Sequence, residues 1–262
     1  MNIDLTGRVA LVTAASRGLG FACANALAQA GAKVAICSRS MDNVTAAAQE
    51  ISAHAKEQVL PVVADLACAT DIDNMHEKVT RELGEVDILV VSTAHPPTMP
   101  FSRATDEDWE LGHKLLVEAP RRLARHVVNG MAEREYGRIL FIGSIFGREA
   151  EVSSVIQSTY RAGLNGLTKC ISTEYASRGV TTNVLCPGYF TTPLVQNLAQ
   201  QYADEQGVPL ERVLDDWRSA SPANQFGKPE DLGAFVAFLC SPHGNFFQGT
   251  ALTIDGGAVR RT

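Results

Sequence analysis

Long hydrophobic runs, paired cysteines and blocks of basic charge are all missing from this chain, and each absence closes off a class of function. No apolar stretch approaches the ~18 residues that a membrane-spanning helix needs, and the N-terminal MNIDLTGR has no hydrophobic signal core. Membrane insertion and secretion are therefore not expected. The six cysteines, Cys23, Cys37, Cys68, Cys170, Cys186 and Cys240, stand singly with no C-x-x-C pair. They read as reduced, mostly buried small hydrophobes of a cytoplasmic protein. Net charge is −6 without a basic cluster, which argues against nucleic acid or an anionic membrane as a partner. The six histidines have no ligand spacing with cysteines or carboxylates, so no metal site is expected. Repeats, low-complexity tracts and linkers are also lacking. What remains is a 262-residue chain, 45% hydrophobic, able to bury a sizeable core and read as one domain over 1–262.

The chain is organised around residues 8–33, RVALVTAASRGLGFACANALAQAGAK. Val9 to Val12 form a β-branched apolar run suited to a buried strand. Thr13 to Gly20 make a small glycine-containing turn. Phe21, Ala24, Leu27 and Ala28 then recur at helical spacing as far as Gly31, a C-terminal stop. A second strand, Lys33–Cys37, completes a βαβ unit. A strand entering a helix through such a turn aims backbone N–H groups and the positive helix end at one spot, which suits a phosphate. An ordinary βα turn is the plain alternative. Further along, residues 41–57 look helical, Val59–Val63 extended, 71–84 helical, Val86–Val91 a central parallel strand, 105–133 a long helical pattern and Gly137–Ile142 another strand. Strands alternating with helices throughout predict an α/β fold of the Rossmann type, a doubly wound parallel sheet with helices on both faces.

Thr13, Gly18 and Gly20 match the T-G-x-x-x-G-x-G turn of the short-chain dehydrogenase/reductase family, with Ala14 where that family usually has its first glycine. The chain resembles this family, and its 3-oxoacyl-ACP reductase-like members, from Leu5 to Asp255-Gly256-Gly257. The resemblance implies a dinucleotide held by Thr13, Ser16, Arg17, Gly18, Leu19 and Gly20. It places the ribose-reading group after Cys37, where Ser38-Arg39-Ser40 has no acid until Asp42. A carboxylate there would favour NAD, whereas Arg39, with Arg17 on the same side, favours the 2′-phosphate of NADP(H). Asp65 and Leu66 match adenine contacts, and Ser92 falls where the family strand ends in Asn-Asn-Ala-Gly. Pro187-Gly188 matches the turn bracketing the nicotinamide. Thr191 and Thr192 match hydroxyls on the carboxamide and phosphates.

The resemblance also assigns catalytic positions. Ser144, after Gly143, matches the catalytic serine. The run Ala162-Gly163-Leu164-Asn165-Gly166-Leu167-Thr168-Lys169 fixes the register of the next helix, so Gln157 stands at the tyrosine position and Arg161 at the lysine position. Spacing from Trp109 puts the asparagine position at Leu116. Tyr160 is a candidate substitute acid, although its position one residue before Arg161 makes a packing or interface role the better reading. Glutamine donates hydrogen bonds but is no acid, and losing a proton donor typically costs about 10²–10⁴-fold. Arg161 keeps a positive charge in a different geometry from lysine. The resulting expectation is an NADP(H)-dependent oxidoreductase of a small molecule with an atypical proton donor, acting on a carbonyl, imine or activated enone. The alternatives are a non-redox isomerase, dehydratase or cyclase that keeps the dinucleotide as structure, and a silent nucleotide-binding subunit. Residues 193–223, split at Gly207-Val208-Pro209, correspond to the family's substrate lid. The family's helix contacts imply a homodimer or homotetramer.

Overall fold

The computed structural model describes residues 3–260. Seven strands form one parallel sheet: β1 (Val9–Val12), β2 (Lys33–Ser38), β3 (Leu60–Val63), β4 (Ile88–Val91), β5 (Gly137–Ile142), β6 (Val180–Pro187) and β7 (Ala251–Ile254). Their order is β3-β2-β1-β4-β5-β6-β7. Strands β1, β4, β5 and β6 are buried along their whole length, which is why β1 and β4 read as unbroken apolar runs, while β5 and β6 also bury Arg138 and Asn183. Helices α1 (Gly18–Gln29), α2 (Met41–Ser52) and α9 (Pro229–Cys240) cover one face around Cys23, Leu27, Ile51 and Val236. Helices α3 (Ala69–Leu83), α5 (Ala119–Glu133) and α6 (Val155–Tyr175) cover the other around Ile72, Met75, Leu123 and Leu164. The expected doubly wound sheet is therefore the observed one. No helix among the described residues is long and apolar enough to cross a membrane.

Because strand order reverses between β1 and β4, the loops leaving these strands diverge and open a crevice at the carboxyl ends. Two local features depart from the sequence pattern. The helix expected over 41–57 stops at Ser52, whose hydroxyl donates to Ala48 O (2.6 Å) and accepts from Val59 N (2.9 Å), turning the chain into β3. The pattern over 105–133 is not one helix but α4 (Asp106–His113) and α5, joined by a π-helical turn at Lys114–Glu118. Such wide turns re-aim side chains and are common at functional sites. Over the crevice, α7 (Pro193–Gln206) and α8 (Leu210–Ser219) pack on each other through Ala199, Ala203, Val213 and Leu214, a small core of their own.

Candidate active site

The cleft at the carboxyl ends of the strands has a volume of about 520 Å³. Its wall follows the sheet order. Ser38 and Arg39 come from the end of β2, and Asp65 and Leu66 from the segment after β3. The turn into α1 supplies Ser16, Arg17, Gly18, Leu19 and Gly20. Ser92 follows β4 and Ser144 follows β5. Gln157 and Arg161 enter from α6, and Pro187, Gly188 and Thr192 come from the end of β6 and the start of α7.

The first turn is tight. Ala14 has φ 48°, a left-handed conformation that costs an L-residue roughly 1–2 kcal/mol. A Cβ on Gly20 would lie 2.7 Å from Ala14 O, so only glycine lets α1 begin this close to the strand. The unsatisfied N–H groups and positive end of α1 consequently face the cleft at Gly18–Gly20.

Three expected site residues lie off this wall. Thr13 is fully buried and its hydroxyl donates to Ser92 O (2.6 Å), which ties the β1 turn to the end of β4. Thr191 is exposed and its hydroxyl donates to Gly227 O (3.4 Å). Tyr160 is turned away as well: its OH donates to Trp109 O (3.4 Å), and its ring packs edge-on against Trp109 and His113. One residue of helix rotates its side chain about 100° from that of Arg161, which removes it from the cleft. Leu116 is buried in the core, while its neighbour Leu115 borders the cleft.

The wall at α6 is built around Arg161. Its Nη1 donates to Ile142 O (2.8 Å) and Gly143 O (2.7 Å), and its Nε donates to Gln157 Oε1 (3.4 Å) one helical turn earlier. Gly147 lets the turn after Ser144 lie directly on α6, since a Cβ there would meet Arg161 backbone carbon at 2.9 Å. Asn165 Nδ2 donates to Gly147 O (3.1 Å) and holds the same contact. On its other side Gln157 Nε2 donates to His95 Nε2 (2.9 Å), and His95 Nδ1–H donates to Pro96 O (2.8 Å). These partners assign both the amide orientation and the histidine tautomer. A flipped amide would set its NH₂ against the Arg161 N–H.

His95 belongs to no motif that would mark it as a site residue. It lies 62 residues from Gln157 in a Pro-rich loop, and only its place just past the end of β4 points to the cleft. Burial, with a smaller push from the Arg161 charge, lowers its pKa from 6.5 to about 4, so the ring is neutral. Burial also lowers Arg161, to about 10, which leaves it protonated at neutral pH. Tyr189 on the opposite wall stacks on Trp217 of α8 (4.9 Å between centroids), and burial raises its phenol to about 12.

A family model described as "Enoyl-(Acyl carrier protein) reductase" matches residues 13–259. The chain is also 32% identical, over 255 residues covering 97% of it and 98% of the relative, to 3-oxoacyl-(acyl-carrier-protein) reductase FabG of Escherichia coli (strain K12). The chain belongs to the short-chain dehydrogenase/reductase family. L-sorbose reductase from Gluconobacter frateurii, solved with NADPH and L-sorbose, superposes with a TM-score of 0.94 at 30% identity over 100% of both chains. An actinorhodin polyketide ketoreductase with NADPH gives a TM-score of 0.92 at 27% identity, over 97% of this chain and 98% of that one.

On this short-chain dehydrogenase/reductase scaffold, the α6 wall offers hydrogen-bond donors and a buried cation but no group that readily gives up a proton. Arg161 is held in its charged form, and Gln157 has no ionisable proton. The Nδ1–H of neutral His95 is already committed to Pro96 O.

Proposed function

We propose that the protein is an NADP(H)-dependent oxidoreductase that reduces a carbonyl, imine or activated enone of a small molecule with an altered proton-handling set. The observation that carries this reading is the continuity of the cleft, from Arg39 past the start of α1 to Ser144 and Gln157. The dinucleotide fits on independent grounds. The N-terminus of α1, which meets the cleft at Gly18–Gly20, forms a cradle for its pyrophosphate. Neither Arg17 nor Arg39 has an acceptor among the described residues, and both border the cleft, where a 2′-phosphate would complete them. Bound there, the reduced dinucleotide supplies hydride. The chain itself binds the adenosine end through Ser38, Arg39, Asp65 and Leu66. It orients the nicotinamide end through Ser92, Arg161, Pro187, Gly188 and Thr192, and closes the cleft with α7 and α8. Ser144 and Gln157 face the reacting group. We read residues 1–262 as one domain of this kind, with 193–223 as the lid. Assembly as a homodimer or homotetramer through α5 and α6 is the corresponding reading of its surface.

Titration tests the cofactor. NADPH is expected to bind more tightly than NADH, and Arg39→Asp to narrow the gap by roughly 10–100-fold, the size of one charged hydrogen-bonding contact. Equal affinities in the wild type would overturn the assignment. Bound NADPH that is never oxidised, on a panel of carbonyls, imines and enones, would favour a non-redox enzyme or a silent subunit instead.

A further inference from the structure

We infer that Ser144 and Gln157 form a two-donor oxyanion hole, and that the favoured substrate is a conjugated enone whose reduction passes through an enolate. The inference rests on the redox reading above and narrows it to a substrate class.

A primary amide nitrogen carries two N–H bonds. In Gln157 one of them is committed to His95 Nε2 (2.9 Å), and Oε1 is held by Arg161 Nε (3.4 Å). The amide is fixed at both ends, and its second N–H meets no acceptor among the described residues on a side chain that borders the cleft. Ser144 is in the same condition. Its Oγ accepts from Phe146 N (3.2 Å), which leaves the O–H to donate, and it too borders the cleft. One guanidinium ties the two donors together: Arg161 bonds Gly143 O beside Ser144 and Gln157 Oε1. The site thus presents two unspent donors backed by a buried positive charge, the arrangement that stabilises developing negative charge on oxygen.

It stabilises an oxyanion without protonating it. Arg161 stays charged, Gln157 is no acid, the His95 N–H is spent on Pro96 O, and Tyr160 faces Trp109. Tyr189 is a poorer acid than an ordinary phenol, because burial pushes it to about 12. Reduction of a simple ketone leaves an alkoxide, a strong base that needs a proton at once. A conjugated enone does not impose that demand. A new C–H bond forms at the β-carbon from the hydride and its electron pair. The C=C π pair shifts to the Cα–carbonyl bond, and the carbonyl π pair moves onto oxygen. The enolate oxygen rests on Ser144 O–H and Gln157 N–H until water delivers a proton to the α-carbon. The products are the saturated ketone, hydroxide and the oxidised dinucleotide. His95 acts as a positioning residue, through Gln157.

The test uses the full-length protein and nitrophenol, whose phenolate absorbs visible light and mimics an enolate oxygen. Bound to the wild type, nitrophenol is expected to ionise about one to two pH units lower than free in solution. Ser144→Ala and Gln157→Leu should each move it back toward the free value, and His95→Leu, which unlocks the amide, part of the way. Ser144→Ala keeps the test decisive if the buried Gln157 variant folds poorly. In turnover, an enone should exceed its saturated ketone in kcat/KM, and loss of either donor should lower kcat by roughly 10²–10³-fold. An unshifted nitrophenol, or a saturated ketone reduced as well as the enone, overturns the oxyanion hole while leaving the redox reading intact. A shifted nitrophenol without oxidation of bound NADPH by any substrate overturns the redox reading and the enone with it.

Discussion

At the dinucleotide end of the cleft, Arg17 and Arg39 reach no acceptor among the described residues and Ala14 sits in a left-handed backbone conformation. At the α6 end, Arg161, Gln157 and His95 bond one another and the backbone in an unbroken chain from Ile142 O to Pro96 O. One end holds its charge in reserve for a ligand; the other has spent its polar groups on itself, apart from two donors. Orphaned buried polar atoms do occur nearby, at Thr93 on the cleft wall and at Asn165 Oδ1 and Thr168 Oγ1 on α6, but none belongs to His95, Gln157 or Arg161. The three side chains of that wall satisfy one another.

Breaking the closed chain should have the largest effect. Arg161→Met leaves Gly143 O, Ile142 O and the Gln157 amide without their shared donor inside the protein. A loss of about 2–5 kcal/mol of folding stability is expected from denaturant titration. Arg39→Met at the other end, where no protein partner is lost, should change stability by less than about 0.5 kcal/mol. Similar losses at the two ends would erase the distinction.

The second effect follows from pH. His95 has an ordinary pKa of 6.5 and a folded value of about 4, lowered chiefly by burial. Between these values the unfolded chain binds a proton that the folded chain refuses, so stability rises with pH in that window. The contribution is complete above 6.5 and lost as pH falls through about 4, amounting to ~3 kcal/mol in all. His95→Gln should flatten this part of the stability profile. An unchanged slope would place the titration elsewhere.

The smallest effect belongs to the strained turn. Ala14→Gly relieves the left-handed alanine, worth ~1–2 kcal/mol, against ~0.4–1 kcal/mol of added chain entropy in the unfolded state. A gain of about 0.5 kcal/mol, or about 1–2 °C in Tm, is expected. A fall in Tm would mean that the turn holds alanine without strain.

What could be read in the sequence divides along the same line. The βαβ unit was legible because a continuous apolar strand and a 3.6-residue period leave different marks, and the Ala162–Lys169 segment fixed which residues of α6 face the cleft. Position along the motif did not reveal which side chains were already engaged. Thr13 is consumed by Ser92 O and Thr191 by Gly227 O, and both partners lie far away in the chain. His95 is illegible for the same reason, since only the meeting of the β4 loop with α6 gives it a role. The π turn at Lys114–Glu118 left no sequence signature at all, because its residues continue an ordinary helical pattern.

The most direct test of the central claim, that the α6 wall is adapted and in use, is kcat/KM of the Gln157→Tyr/Arg161→Lys double variant. It should be measured beside the wild type on an enone and on its saturated ketone, with Ser144→Ala as control. The double variant should lose at least about tenfold on the enone, since tyrosine replaces a fixed neutral donor with a bulky ionisable one and lysine cannot reproduce the guanidinium fork. It should gain reduction of the saturated ketone, because a phenol beside an ammonium can protonate an alkoxide. Unchanged activity on both substrates in the double variant and in Ser144→Ala would contradict the account, by showing that the chemistry happens somewhere else.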